Sequence, residues 1–279
     1  MYILSEMVQL NVSFKEHIRK FILNNYLFKP TTNTKYTLDQ ILDVIEYVLI
    51  TGASWRSIDL PIFNELNIRW QSIYYHFQKF SKANVFKKVY LQLIDAYFKR
   101  NRSGKLKYLS VDTSFLKNLD ASNVAFNGYC RKKRLSKLSL IVDSNGVSIS
   151  ALIAAGNHSD QKLFYKNWND LYVKIDGSNN NKHKRYLLAD AIYDTNSIRG
   201  TINKKHITPL IAFNKRNSRY DKRVLSERHK QIFRKRMIVE NVFSWIYQNR
   251  RTAGRYDKLN RNYYSFLFMA LVKILIRRL

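Results

Sequence analysis

Three carboxylates in this chain fall where metal-dependent chemistry would need them. Asp112 closes the run Tyr108-Leu109-Ser110-Val111-Asp112, and Asp190 closes Tyr186-Leu187-Leu188-Ala189-Asp190. Both runs are short and apolar and read as strands, which puts an aspartate at the end of each. Glu240 sits in the amphipathic middle of Arg234-Lys235-Arg236-Met237-Ile238-Val239-Glu240-Asn241-Val242-Phe243-Ser244-Trp245, a basic stretch that reads as helix. If the two strands are parallel neighbours, both aspartates leave the same edge of the sheet, where ligands of open α/β sheets gather. Hard divalent cations take oxygen ligands. Two such ions about 3.5–4 Å apart assist both the attacking and the leaving oxygen of phosphoryl transfer. Carboxylates on three separate elements suit a site of that kind.

Other acids have plainer explanations. Asp143 belongs to the hairpin turn Asp143-Ser144-Asn145-Gly146, and Asp160 follows His158-Ser159 where a helix cap is expected, although it would also lie near the sheet edge. Asp194 competes with Asp190 for the role of second ligand. Glu240 has an ordinary partner in Arg236 one turn earlier. The six histidines show no HxxxH or HExxH spacing, so a zinc enzyme is not expected.

The elements that carry these residues follow from periodicity. Residues 1–105 read as a helical domain. Thr37-Leu38-Asp39-Gln40 has capping-box spacing, Leu38, Ile41, Leu42, Ile45 and Leu49 form a helical stripe, and Gly52 suits the stop. Short helical patterns follow at Trp55–Leu60, from Trp70 through Phe77, and from Val85 to Phe98. They fit a helix-turn-helix unit and a plain bundle equally well. Residues 106–279 read as mixed α/β, with strands at 108–112, 138–142, 147–154, 186–190 and 207–211. Helices are expected at about 160–172 and 195–204, and a basic helix from about 227 to 250.

Charge decides the class of partner. The 279 residues include 49 Lys and Arg against 20 Asp and Glu, a net of +29 and a pI near 10.1. Such repulsion points to a polyanion, nucleic acid by default and an anionic membrane surface as the weaker alternative. Residues 199–279 alone hold 21 of the basic residues and 4 of the acidic ones. Arg131-Lys132-Lys133-Arg134 and the cluster Lys215, Arg216, Arg219, Lys222 and Arg223 are phosphate-contact candidates, or else solvated charged faces. Apolar residues at 46% exclude wholesale disorder. The one cysteine, Cys130, rules out an internal disulfide and a cysteine-based zinc site. No leader pattern opens the chain and no apolar run is long enough to span a bilayer, so a soluble, cytoplasmic protein is expected.

With these residues in place, the chain resembles bacterial insertion-sequence transposases of the DDE type. The similarity lies in Val111-Asp112-Thr113-Ser114, in Leu188-Ala189-Asp190-Ala191-Ile192-Tyr193-Asp194, and in Arg236-x-x-Val239-Glu240-Asn241-x-Phe243-Ser244-Trp245. Arg250-Arg251, Arg255-Tyr256-Asp257-Lys258, the segments 137–146 and 156–160, and Val48–Ile58 extend it over roughly residues 35–279. The resemblance implies a ribonuclease-H-like core of five strands behind an all-helical N-terminal DNA-binding domain. It implies that Asp112, Asp190 and Glu240 are catalytic and hold two Mg²⁺, with Mn²⁺ as substitute, and that Arg236 orients Glu240. The partners implied are double-stranded DNA (terminal inverted repeats and target) and a second copy of the chain, in the bacterial nucleoid. One departure stands out. Relatives follow Tyr-x2-Arg-x3-Glu-x6-Lys, whereas this chain has Phe233 first and Tyr247 last, which leaves Arg250 or Arg251 to replace the lysine at DNA. Two other classes share parts of this reading: a transposase-derived DNA-binding protein that no longer cuts, and a ribonuclease-H-like nuclease.

Overall fold

The computed structural model of the chain describes residues 14–30, 35–59, 69–99, 102–118, 124–127, 133–175, 184–214 and 225–279. The chain divides into two compact units. One comprises Met1–Tyr97, Asn118–Ser122 and Trp245–Leu279, the other Phe98–Lys117 and Asn123–Ser244.

The first unit is helical. Helix α1 (14–24) buries Phe14, Ile18, Phe21 and Ile22 at helical spacing. Helix α2 (Leu38–Thr51) begins with the expected capping box: Thr37 Oγ1 accepts from the Gln40 amide, and Gln40 Oε1 accepts from the Thr37 amide at 2.8 Å. It ends at Gly52 in the left-handed region (φ 71°), where glycine bears no Cβ penalty. A 3-10 turn (Trp55–Asp59), α3 (Trp70–Lys82) and α4 (Val85–Phe98) follow.

The second unit contains the sheet. After a short α5 (Arg102–Lys105) come β1 (Tyr108–Asn118), β2 (Ala125–Asn127), β3 (Lys133–Val142), β4 (Ser148–Ala155), α6 (Asp160–Asn169), β5 (Tyr186–Ala189), α7 (Asn196–Asn203) and β6 (Thr208–Ile211). Strand β3 runs antiparallel to both β1 and β4, whereas β1–β5 and β5–β6 are parallel. The order β4-β3-β1-β5-β6 is the five-stranded mixed sheet of the ribonuclease-H-like fold, with β2 added against the first residues of β3. Asp143 builds the β3–β4 turn as expected, its Oδ1 accepting from the amides of Asn145 and Val147. On one face α6 covers the sheet through a buried polar link, Asn167 bonding both Ser139 and Ser150. On the other face Tyr186, Leu188 and Leu210 pack with Tyr108, Leu225 and Ile232.

The basic segment beyond is not the single helix its pattern predicts. It forms α8 (Glu227–Phe233), a 3-10 turn (Arg234–Met237) and α9 (Ile238–Tyr247), followed by α10 (Arg250–Ala253) and α11 (Asn260–Ile276). The expected boundary at 105/106 lies near the observed passage from Tyr97 to Phe98, but everything from Trp245 onward groups with the N-terminal helices. Burial explains the grouping. Helix α11 hides twelve of its residues from Asn262 to Leu275, and a helix apolar around most of its circumference needs other helices about it. Trp55, Phe77 and Phe266 form its aromatic contact, with Phe77 and Phe266 stacked at 4.7 Å between centroids.

Candidate active site

The pairing register brings the two aspartates together. Ser110 pairs with Leu188 across the parallel β1–β5 ladder, so Asp112 and Asp190, each two residues further on, lie at the same level. Side chains alternate along a strand, so both also share one face. Asp112 does not end its strand, as the sequence suggested, because β1 runs on to Asn118 along β3. It lies instead where β1 outruns β5, which stops at Ala189. Beyond that point Asp190 Oδ1 accepts from the Ile192 amide at 2.7 Å and caps the 3-10 turn Ala191–Tyr193.

Arg236, in the 3-10 turn before α9, reaches this same face. Its Nη1 lies 3.2 Å from Asp112 Oδ2 and its Nη2 2.7 Å from Glu240 Oε1. One guanidinium therefore spans two of the three predicted carboxylates. The Glu240–Arg236 pair expected from one helical turn is present, and the link to Asp112, 124 residues away in sequence, is what spacing alone could not show. Burial pushes the Asp112 carboxyl above its ordinary range. The Thr113 amide and Arg236 pull it down, and the charges of Asp190 and Glu240 push it up again. Among the described residues no group of three His, Cys, Asp or Glu side chains stands close enough to hold a metal ion, with Arg236 between Asp112 and Glu240. The donors nevertheless suit one: they are hard carboxylate oxygens, and their mutual repulsion at Asp112 is what a bound cation would relieve.

Asp160, expected near the sheet edge, and Tyr193, for which the sequence suggested no role, adjoin the acids. The buried Tyr193 phenol is pushed well above its ordinary value by burial and then by the charges of Asp112, Asp160 and Asp190. Asp160 pairs with Lys137 at 2.8 Å, both side chains nearly buried, and accepts from Thr113 Oγ1 at 2.8 Å. Thr113 is offset by one from Asp112, so Lys137, Asp160 and Thr113 meet on the α6 face of β1, opposite the Asp112 side chain. Lys137 stands six residues before Asp143 in a strand of alternating character; its cross-strand pairing with Phe115 and its burial reveal its inward turn.

Asp194 is removed from contention as a ligand. It is buried, holds Arg199 at 2.8 Å and accepts from the Asn214 amide, while Arg199 goes on to the carbonyls of Pro209 and Ile211. The phosphate candidates divide. Arg134 is exposed on β3, Lys133 opens that strand, and Arg250 is exposed at the start of α10. Arg131, Lys132, Lys215, Arg216, Arg219, Lys222 and Arg223 lie outside the described residues. Arg251 needs correcting. It is 5% exposed, grips both oxygens of Asp257 and donates to the Ala53 carbonyl, so its guanidinium is committed inside the helical unit and unavailable to DNA.

Comparison with known proteins shows the family of the chain. Residues 89–274 match the family described as the transposase DDE domain, two thirds of the chain. Solved structures similar to the chain include the Mos1 strand transfer complex, with 10% identity, 82% of each chain covered and a TM-score of 0.28. The Mos1 transposase paired-end complex with the left transposon end has 10% identity over 77% of this chain and 79% of that one, with a TM-score of 0.27. No curated protein sequence matches the chain. The chain belongs to the transposases with a DDE domain.

Proposed function

We propose that this transposase binds the terminal inverted repeats of an insertion element, cleaves them and joins the freed 3′-hydroxyl ends to target DNA. The observation that carries this reading is the level register of Asp112 and Asp190 on one sheet face, with Arg236 tying Glu240 to Asp112. Asp112, Asp190 and Glu240 would hold two Mg²⁺, or Mn²⁺ in their place. Such ions polarise a phosphodiester and ease the ionisation of the attacking hydroxyl. Arg236 holds Glu240 and Asp112 in fixed orientations. The Asp190 carboxylate is aimed by its bond to the Ile192 amide. The helical unit takes part in end binding, and Arg250, exposed one turn beyond Tyr247, stands in for the lysine of the related pattern. Two ends must be held together, which calls for at least a dimer. Duplex DNA in the cytoplasm, at the nucleoid, is the working partner; no helix among the described residues is long and apolar enough to cross a membrane.

The experiment begins with the DNA on either side of the gene. Short inverted repeats flanked by a direct duplication supply the substrate for a Mg²⁺-dependent cleavage and joining assay. Asp190→Asn should bind those ends as wild type does and cut them at least a hundredfold more slowly. Normal cutting by that variant would remove Asp190 from the site. Tight end binding without cutting by the wild type would leave a DNA-binding protein in place of the enzyme.

A further inference from the structure

We propose that the second unit carries a sequence-independent phosphate-binding cleft at the opposite end of the catalytic face, which takes the sugar–phosphate backbone of duplex DNA. The cleft has a volume of about 440 Å³, and Tyr108, Asn145, Arg234, Lys235 and Asn241 are among the residues that form it. None of the described residues that line it is acidic. Tyr108 opens β1 and shares a face with Asp112, four residues on, so cleft and carboxylates are about 13 Å apart at ~3.3 Å per residue.

The cations here are held in place. Lys235 Nζ lies 4.7 Å from the centre of the Tyr108 ring and Lys107 Nζ 5.5 Å from it. Tyr108 stacks on Tyr186, which in turn carries Lys184 at 5.8 Å. A lysine resting on an aromatic face has less rotamer freedom to lose when it meets a phosphate, while its charge stays available. Arg234 and Lys235 are exposed, and Asn145 and Asn241 set amides at the rim. The Tyr108 ring is taken up by its stack on Tyr186 and by Lys235, so the arrangement offers point charges and amides and suits backbone rather than sequence. The 3-10 turn serves both ends of the face: Lys235 turns to Tyr108 and Arg236 to Asp112. At 3.4 Å per base pair, about 13 Å is the rise of ~4 steps, so a duplex engaged at the carboxylates and lying along this face has phosphates at the cleft.

That the polyanion is DNA rests on the transposase reading; the cleft itself does not. The test uses the full chain carrying Asp190→Asn, so that nothing is cut, and measures binding to a short duplex of arbitrary sequence across a salt series. Arg234→Ala and Lys235→Ala should each lower the salt slope by about 1, equally for arbitrary and element-end duplexes. Tyr108→Leu should weaken binding as Lys235→Ala does, and Tyr108→Phe, which keeps the ring, should not. Thermal midpoints equal to that of the parent exclude misfolding for the two exposed positions. Trimming the end duplex by four base pairs on either side separates the sources of phosphate. If the cut duplex fills the cleft, trimming on one side abolishes the effect of the variants; if a second duplex fills it, the effect persists. An unchanged slope, or a loss confined to the end sequence, overturns the proposal. Failure of the wild type to cut any DNA would bear on the transposase reading alone.

Discussion

Arg236 is the residue on which the candidate site turns, because its guanidinium pairs with both Asp112 and Glu240. Replacing it with glutamine should leave Asp112 and Glu240 repelling each other and Asp190. In chelator the variant should therefore melt below wild type, and added Mg²⁺ should raise its midpoint more than it raises that of wild type; equal increments in a thermal melt would contradict this role. The two aspartates of the Asp190–Asp194 motif should separate just as clearly. Asp194→Asn removes the charge that faces Arg199, whose other acceptors are the Pro209 and Ile211 carbonyls, and should cost about 3–5 kcal/mol, read from denaturant unfolding. Asp190, exposed and, among the described residues, bound to one amide, should accept asparagine with little change in stability.

At the scale of elements, the helical unit depends on charges it has buried. Truncating Arg251 to alanine would strand Asp257, whose side chain is 4% exposed, and should cost about 3–5 kcal/mol in a chemical melt. The double variant Arg251→Met, Asp257→Leu should recover much of that loss, since an apolar pair avoids the desolvation. Helix α3 carries a second liability. His76 packs against Phe28 and Phe80, and burial, then the nearby Lys79, lowers its pKa. A base whose folded pKa lies below its unfolded value of about 6.5 contributes stability above that pH and loses it as pH falls through the folded value. Melting between pH 7.5 and 5.5 should show this loss in wild type and a smaller one in His76→Phe.

Over the whole molecule, a net charge of +29 makes salt the dominant variable in DNA binding. Log affinity should fall linearly with log salt at about 0.9 per phosphate contact. A slope shallower than −3 for the wild type would mean that most of the basic residues, including Arg134 and Arg250, stay clear of the backbone. Arg251 is already excluded from that sum by its burial, a reminder that the count of basic residues overstates the count of phosphate contacts.

Much of this could be read along the chain because it depends on neighbours in sequence. The Thr37–Gln40 box, the Gly52 stop, the Asp143 turn and the strands bearing Asp112 and Asp190 are local patterns, governed by caps, turns and two-residue alternation. Asp190 directly follows its strand as the local pattern indicated, whereas the strand bearing Asp112 runs on to Asn118 because β3 continues to pair with it. What sequence could not decide were the partners of long-range charges. Asp190 and Asp194 look alike in the motif, and only the arrival of Arg199 and the Asn214 amide makes one structural. Arg250 and Arg251 are adjacent and identical in type, yet the turn of α10 sends one outward and the other to Asp257 and the Ala53 carbonyl. The fate of α11, apolar nearly all round, likewise waited on which helices would enclose it. Local pattern sets backbone geometry within a few residues. Whether a charge meets water, metal or a buried partner is settled by segments that folding brings together from far apart in the chain.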